Sequence, residues 1–192
     1  MRERRRSRLG AEKAAEITIS TFHALCWKIL RSHHEELGYR SGISILDEQD
    51  SQTVVRDLLP EGTAPEIARL ARAQLSRWKN RALVPGDSSV EVQSDGEASI
   101  WRIYSQYQEH LRNLNPVDFE DLILQPLRAL QDEEIRLQWQ QQIRYLLVDE
   151  YQDTNETQYR MLRLLAGPEG RLTAVGDDDQ SIYGWRGAQP EN

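Results

Sequence analysis

Apolar positions along this chain fall into two patterns, and each predicts a different kind of element. Through the middle of the sequence they recur at three- and four-residue intervals, the spacing of one face of an α-helix. Leu25, Ile29, Leu30 and Leu37 mark such a face over residues 24–37, with Gly38 placed to stop it. Asp47 is placed to cap a helix that runs to about residue 59, before Pro60. Ile67, Leu70, Ala71, Leu75 and Trp78 predict a third helix over residues 65–78, and Ile103, Tyr107 and Leu111 a fourth over about 99–114. Residues 85–97 between them are rich in Gly, Ser and Asp and read as a loop. Asp118 suits the N-cap of a helix from Phe119 onward, which Pro126 should kink or break. Asn155 followed three residues later by Gln158 reads as a capping box. The helix it opens carries Met161, Leu162 and Leu165 and closes at Gly167-Pro168. Cys26, Trp27, Trp78, Trp101 and Trp139 sit at helical positions and read as core.

The second pattern is a short unbroken apolar run. Leu146-Leu147-Val148 and Leu172-Thr173-Ala174-Val175 have it; both read as short strands, the first as one buried on both faces of a parallel sheet. Ile17-Thr18-Ile19-Ser20 reads as a further short strand near the start. Three segments follow: residues 1–23 with a polar start and one strand, 24–128 mostly helical, and 129–192 alternating helix and strand.

Both runs end in acids. Asp149-Glu150 follows the first and Asp177-Asp178-Asp179-Gln180 the second. In open α/β sheets, ligands bind beyond the carboxyl ends of the strands. A nucleotide-hydrolysing site there needs a carboxylate for Mg²⁺ and a group to position the attacking water. Asp149 suits the first role and Glu150 the second. Gln180, just past a strand, can reach a γ-phosphate or its water. Acids after a strand also serve as helix caps or as solvated loop, and that reading stays open on these residues alone. Tyr183 and Trp185, two apart with Arg186 beside them and glycines around them, suit a platform for unpaired bases. Two core aromatics would leave the same trace.

The stretch from Val148 to Asn155 resembles motif II of the superfamily 1A (UvrD/PcrA/Rep-like) DNA helicases, and that from Gly176 to Ala188 their motif III. Ile19-Ser20-Thr21-Phe22-His23-Ala24-Leu25 is similar to motif Ib, and Val117-Asp118-Phe119-Glu120-Asp121-Leu122-Ile123 to the segment before motif II. Four motifs in order are specific, and the likeness is weakest from about Ser41 to Asn113. The resemblance implies an α/β fold: part of a RecA-like, P-loop NTPase parallel-sheet core with an inserted all-helical subdomain. Residues 1–23 and 129–192 would belong to the RecA-like domain and 24–128 to the insertion. It implies Asp149 as Mg²⁺ ligand, Glu150 as general base and Gln180 as the contact to the γ-phosphate end, with Arg186 bridging nucleotide site and DNA groove. Tyr183, Trp185 and Arg186 would meet single-stranded bases. Thr21, Phe22 and His23 would lie against the DNA backbone, although His23 alone reads as a structural histidine. The cofactors implied are ATP and Mg²⁺. The implied partners are single-stranded DNA, duplex–single-strand junctions and replication or repair proteins.

No G-x-x-x-x-G-K-[ST] sequence occurs in the 192 residues, so nothing in them cradles phosphates in the P-loop manner. The expectation is therefore an interior piece of a longer 3′-to-5′ helicase, inactive alone and prone to self-association through an incomplete sheet. A single-stranded-DNA-binding protein without turnover, or a helicase-like subunit of a recombination nuclease, fits the same residues.

Composition changes this picture little. Charged residues make up 29% and hydrophobic residues 39%, as in a polar, helix-rich globular chain. No apolar stretch approaches the about 18 residues of a membrane span. No signal-peptide pattern follows the arginine-rich start, and the single cysteine fits a reducing compartment, so a cytoplasmic location is expected, a bacterial one as the resemblance implies. The net charge of −7 argues mildly against indiscriminate DNA binding. Arg2, Arg4, Arg5, Arg6 and Arg8 nonetheless concentrate positive charge at one end, where a solvated terminus is the simpler reading.

Overall fold

A computed structural model describes residues 17–87 and 94–180. The described chain is mixed α/β and mostly helical, with two small parallel sheets. Residues 17–20, expected as a strand, run as irregular chain into the first helix. A strand exists through its ladder, and these residues join neither sheet among the described residues.

Helix α1 (Phe22–Ser32) is capped by Thr21, whose hydroxyl accepts the Ala24 N–H at 3.2 Å. It ends five residues short of the expected Leu37; turns then lead to Gly38 at φ +80°. Strand β1 (Ser44–Ile45) follows, then α2 (Glu48–Leu58), capped as expected by Asp47. Helix α3 (Pro65–Asn80) begins on its proline. Its buried stripe is Ala68, Ala71, Arg72, Leu75, Trp78 and Lys79, whereas Ile67 and Leu70 are exposed, one step around from the face expected. Helix α4 (Asp95–Leu114) starts four residues earlier than the apolar spacing indicates. Ser94 and Glu97 supply the cap signal, the Ser94 hydroxyl accepting the Glu97 N–H.

Strand β2 (Pro116–Val117) pairs in parallel with β1, a small sheet within a segment expected to be helical. Two residues per strand are too few to leave a periodic trace. Helix α5 (Asp121–Ala129) starts two residues later than expected, with Glu120 rather than Asp118 at its N-cap and no side-chain cap there; Asp118 acts from the turn before it, its Oδ1 accepting the Asp121 N–H at 2.8 Å. Pro126 does not break it. The helix is buried around nearly its whole circumference, and packing outweighs the one lost hydrogen bond. Helix α6 (Glu133–Gln142) leads to β3 (Leu146–Val148), α7 (Glu156–Ala166) and β4 (Leu172–Ala174). Strands β3 and β4 are parallel, with Val148 beside Ala174, so β3–α7–β4 is one crossover unit. The predicted capping box at Asn155 and Gln158 is formed in full. Replacing Asn155 with alanine should cost about 1 kcal/mol in thermal unfolding, the usual worth of an N-cap; an unchanged midpoint would contradict this.

The expectation that β3 is buried on both faces does not hold, and the end of β4 is open as well. Val148 is buried, but Leu147 on the opposite face is 77% exposed and Val175 is 60% exposed. Successive side chains of a strand point to opposite faces, and only one face rests on helices here.

Among the described residues three apolar clusters form the core, two large and a smaller third of Leu30, Tyr39, Val117 and Leu122. The first joins Cys26 and Ile29 of α1, Ile123 and Leu127 of α5, Trp139 of α6, and Met161 and Leu165 of α7. The second joins Val55 of α2, Leu75 and Trp78 of α3, and Tyr104, Tyr107 and Leu111 of α4. Between α3, α4 and the start of α5 lies a buried charged cluster. Lys79 Nζ, fully enclosed, donates to Asp118 Oδ2 at 2.6 Å and Asp121 Oδ2 at 2.8 Å. Arg72 pairs with Glu120 at 2.7 Å. Tyr107 donates to Asp118, and Gln108 and Gln125 donate to Asp121. Burial alone would raise the Asp118 pKa, but the Lys79 ammonium and Arg72 guanidinium overcome it and hold the group below the usual range. Asp121 is pushed up by burial and by Asp118 beside it.

Candidate functional site

The two acidic segments meet at the carboxyl ends of β3 and β4. The ladder continues past the strands: Val175 N donates to Val148 O at 2.8 Å, and Tyr151 N to Val175 O at 2.9 Å. This pairing sets residues 149–152 beside residues 176–180. Asp149 and Glu150 are exposed there. Glu150 has φ +55° and ψ +43°, a left-handed conformation uncommon for a residue with a side chain. The turn reverses the chain into a short 3₁₀ turn (Tyr151–Asp153), and the Glu150 N–H caps back onto Asp149 Oδ1 at 3.1 Å. Backbone strain of this kind, held by surrounding contacts, concentrates at functional sites.

Gln152 supplies those contacts. Its side chain is buried; the amide nitrogen donates to Glu150 Oε2 at 2.8 Å, and the amide oxygen accepts the Asp177 N–H at 3.0 Å. One side chain thus bridges the two acidic segments. Gly176 makes room for it. A Cβ at that position would lie 2.6 Å from Gln152 Oε1 and 3.0 Å from Gln152 N. Gly176→Ala should therefore destabilise the chain by about 1–3 kcal/mol, the usual cost of overpacking. Chemical denaturation measures it, and a loss below ~0.5 kcal/mol would mean that the amide moves aside freely. Gln180 is held near the same point, its Nε2 donating to Asp177 Oδ2 at 2.7 Å.

The arrangement suits a metal–nucleotide complex better than a resident metal. Among the described residues no three His, Cys, Asp or Glu side chains form a metal-binding group. Mg²⁺ is commonly held by one or two carboxylates with waters and substrate phosphates completing its shell. An exposed Asp149 at a strand end fits that use.

A second cluster lies at the start of α1. The His23 ring stacks on Phe119, with centroids 4.0 Å apart and planes 28° from parallel. Phe119 is 55% exposed. Burial lowers the His23 pKa below its usual value, against the opposing pull of Glu120, so the ring is neutral at pH 7. Thr21 is exposed at the helix N-terminus, where a phosphate is favoured by free N–H groups and the helix dipole. Phe22 is half-buried against the first core. Tyr183, Trp185 and Arg186 lie outside the described residues.

Sequence reasoning alone missed Phe119 and Gly176 as parts of these sites, and gave Gln152 only a supporting or capping role rather than the bridge. The first has an available signal: a lone aromatic among three acids, Asp118, Glu120 and Asp121, which cannot all pack inward unpaired. The other two show themselves only through side-chain direction.

Comparison with known proteins gives consistent results. A family model described as UvrD/REP helicase N-terminal domain matches residues 1–192. The ATP-dependent DNA helicase Rep of Escherichia coli (strain K12) is 41% identical, covering 100% of this chain and 29% of that protein. Rep of Buchnera aphidicola subsp. Acyrthosiphon pisum is 38% identical, covering 100% of the chain and 30% of that protein. The ATP-dependent DNA helicase PcrA of Leuconostoc citreum is 37% identical, covering 100% and 26%. The chain thus spans under a third of the length of each of these relatives.

Proposed function

This chain belongs to the UvrD/REP helicase N-terminal domain family, and from that premise we propose that it is part of an ATP-dependent 3′-to-5′ DNA helicase that couples ATP hydrolysis to movement on single-stranded DNA. The observation that carries the reading is the junction at the ends of β3 and β4, where Gln152 ties Glu150 to the backbone of Asp177. In this reading β3–α7–β4 is part of a RecA-like sheet, and residues 24–128 hold the inserted helical subdomain, with α2, α3 and α4 as its own core.

Mg²⁺ with ATP would supply charge neutralisation at the transferred phosphoryl group. Asp149 is the residue to hold the metal. Glu150 takes the proton of the attacking water, and Gln152 fixes its carboxylate in place. Gln180 contacts the γ-phosphate end, and Arg186 links that end to the DNA groove. Tyr183, Trp185 and the His23–Phe119 pair receive unpaired bases, while Thr21 meets the backbone. Phe22 supports this face from the core side.

DNA, single-stranded or at a duplex junction, is the partner proposed, with replication or repair proteins beyond it and a bacterial cytoplasmic location. No helix among the described residues is long and apolar enough to cross a membrane. The exposed side chains of Leu147 and Val175 favour association of the isolated chain with itself.

The deciding experiment measures single-strand-stimulated ATP hydrolysis and unwinding of a 3′-tailed duplex by the protein as its gene encodes it. Stimulated turnover with unwinding is expected, and absence of both would refute the proposal. Trp185→Ala should weaken single-strand binding by about 1–3 kcal/mol. Unchanged affinity with a lower melting temperature would make Trp185 a packing residue.

A further inference from the structure

Three acids and one aromatic occupy residues 118–121, and the structure treats them differently. Every acid is gripped from the helical side. Asp118 takes Lys79 and Tyr107, Glu120 takes Arg72 and Ser76, and Asp121 takes Lys79, Gln108 and Gln125. Phe119 alone projects outward, onto the His23 ring. Arg72, Ser76 and Lys79 lie at intervals of four and three along α3, on one face. The same helix end also holds the segment that follows the catalytic carboxylates. Thr157 Oγ1 donates to Lys79 O at 2.6 Å and accepts the Ala82 N–H, and Asn155 Nδ2 donates to Asn80 Oδ1 at 2.9 Å.

We propose that Lys79 is a positioning residue for the nucleic-acid face: by clamping Asp118 and Asp121 it fixes Phe119 against His23, and it does so from the helical turn that also anchors the start of α7 behind Asp149 and Glu150. A buried ion pair is a poor source of net stability, because desolvating both charges offsets most of their attraction. An array of directional bonds around one ammonium does, however, set the position of the loop that supplies them. The loop runs from β2 into α5, and with its acids fixed on both sides of Phe119 the aromatic ring has one direction left. The three acids together exceed the two cations facing them by one charge, so loss of Lys79 leaves the loop self-repelling as well as unanchored.

This inference rests on the reading of the His23–Phe119 face as DNA-binding, and the test separates the two. Phe22 and Phe119 are the only phenylalanines in the chain. Labelling with 4-fluorophenylalanine therefore gives two ¹⁹F resonances, assigned with a Phe119→Leu variant. In Lys79→Met and in the milder Asp121→Asn, which takes the charge from one of the two carboxylates on Lys79, the Phe119 resonance should shift or broaden without DNA present, while the Phe22 resonance stays in place. Affinity for an oligothymidylate of about 16 nucleotides should fall about tenfold. Val55→Ala, a cavity variant in the other core, should lower the melting temperature yet leave the Phe119 resonance where it was. An unmoved Phe119 resonance in folded Lys79→Met overturns the proposal, and should that variant not fold, the same result in Asp121→Asn does so. Movement of the resonance in the variants, in a wild-type chain whose Phe119 signal ignores the oligonucleotide, would uphold the positioning role and refute the DNA-binding reading of this face.

Discussion

Replacing Lys79 with methionine is expected to cost about 3–5 kcal/mol of folding free energy, the usual result of removing one partner from a buried ion pair. The lysine is enclosed, and its ammonium is shared by two carboxylates. Without it, Asp118 and Asp121 remain buried beside each other. Their pKa directions make the test sharper. Asp118, lowered, contributes stability that is present above about pH 4, its usual value, and is lost as pH falls through the folded value. Asp121, raised, acts the other way: its contribution is full below about pH 4 and is lost as pH rises through the folded value. At pH 7, Asp118→Asn should therefore destabilise by over ~1 kcal/mol more than Asp121→Asn, and the difference should close in acid. Urea denaturation across pH measures both. Equal effects of the two changes at pH 7 would mean that the surplus charge is not on Asp121.

The second large effect concerns turnover. Glu150→Gln, in the protein as its gene encodes it, is expected to slow ATP hydrolysis by about 10²–10⁴-fold, the usual contribution of a positioned general base. The amide keeps the length and planarity of the carboxylate, so binding of ATP and of single-stranded DNA should change little. The Gln152 amide nitrogen would meet either a carbonyl oxygen or, after rotation, an amino group. The same chain geometry thus survives with one hydrogen bond at risk. Single-turnover hydrolysis beside equilibrium nucleotide binding separates the two effects. Hydrolysis within tenfold of wild type would assign the base elsewhere.

Much of this was legible from residue order, and the limits have physical causes. The helices with caps or breakers at their ends, α2 and α7, were readable at both ends because Asp47, Asn155, Gln158 and Gly167 act locally. The start of α4 was misplaced because apolar spacing begins only after Ser94 and Glu97 have already set the cap. The stripe of α3 was misjudged because Arg72 and Lys79 occupy core positions while Ile67 and Leu70 face outward. Only the acids of residues 118–121, distant in sequence, make those cations internal. Asp149, Glu150 and Gln180 stand out in the sequence because a nucleotide site at a strand end would need such side chains, and the structure brings their two segments together. The bridge through Gln152 and the clearance at Gly176 depend on how two loops face each other, which no local pattern encodes.

Cys26 is the only thiol of the chain, wholly enclosed in the first core with Met161 Sδ 3.1 Å from its sulfur. Burial pushes its pKa up to about 12, so the reactive thiolate is scarce in the folded state at neutral pH. Alkylating reagents can then reach it only when α1 separates from α5 and α7. The chain thereby carries a native clock for that opening: labelling rate against reagent concentration reports how often these helices part. Measured with and without nucleotide or single-stranded DNA, one rate constant would tell whether ligands at the strand ends or at the start of α1 tighten the same core.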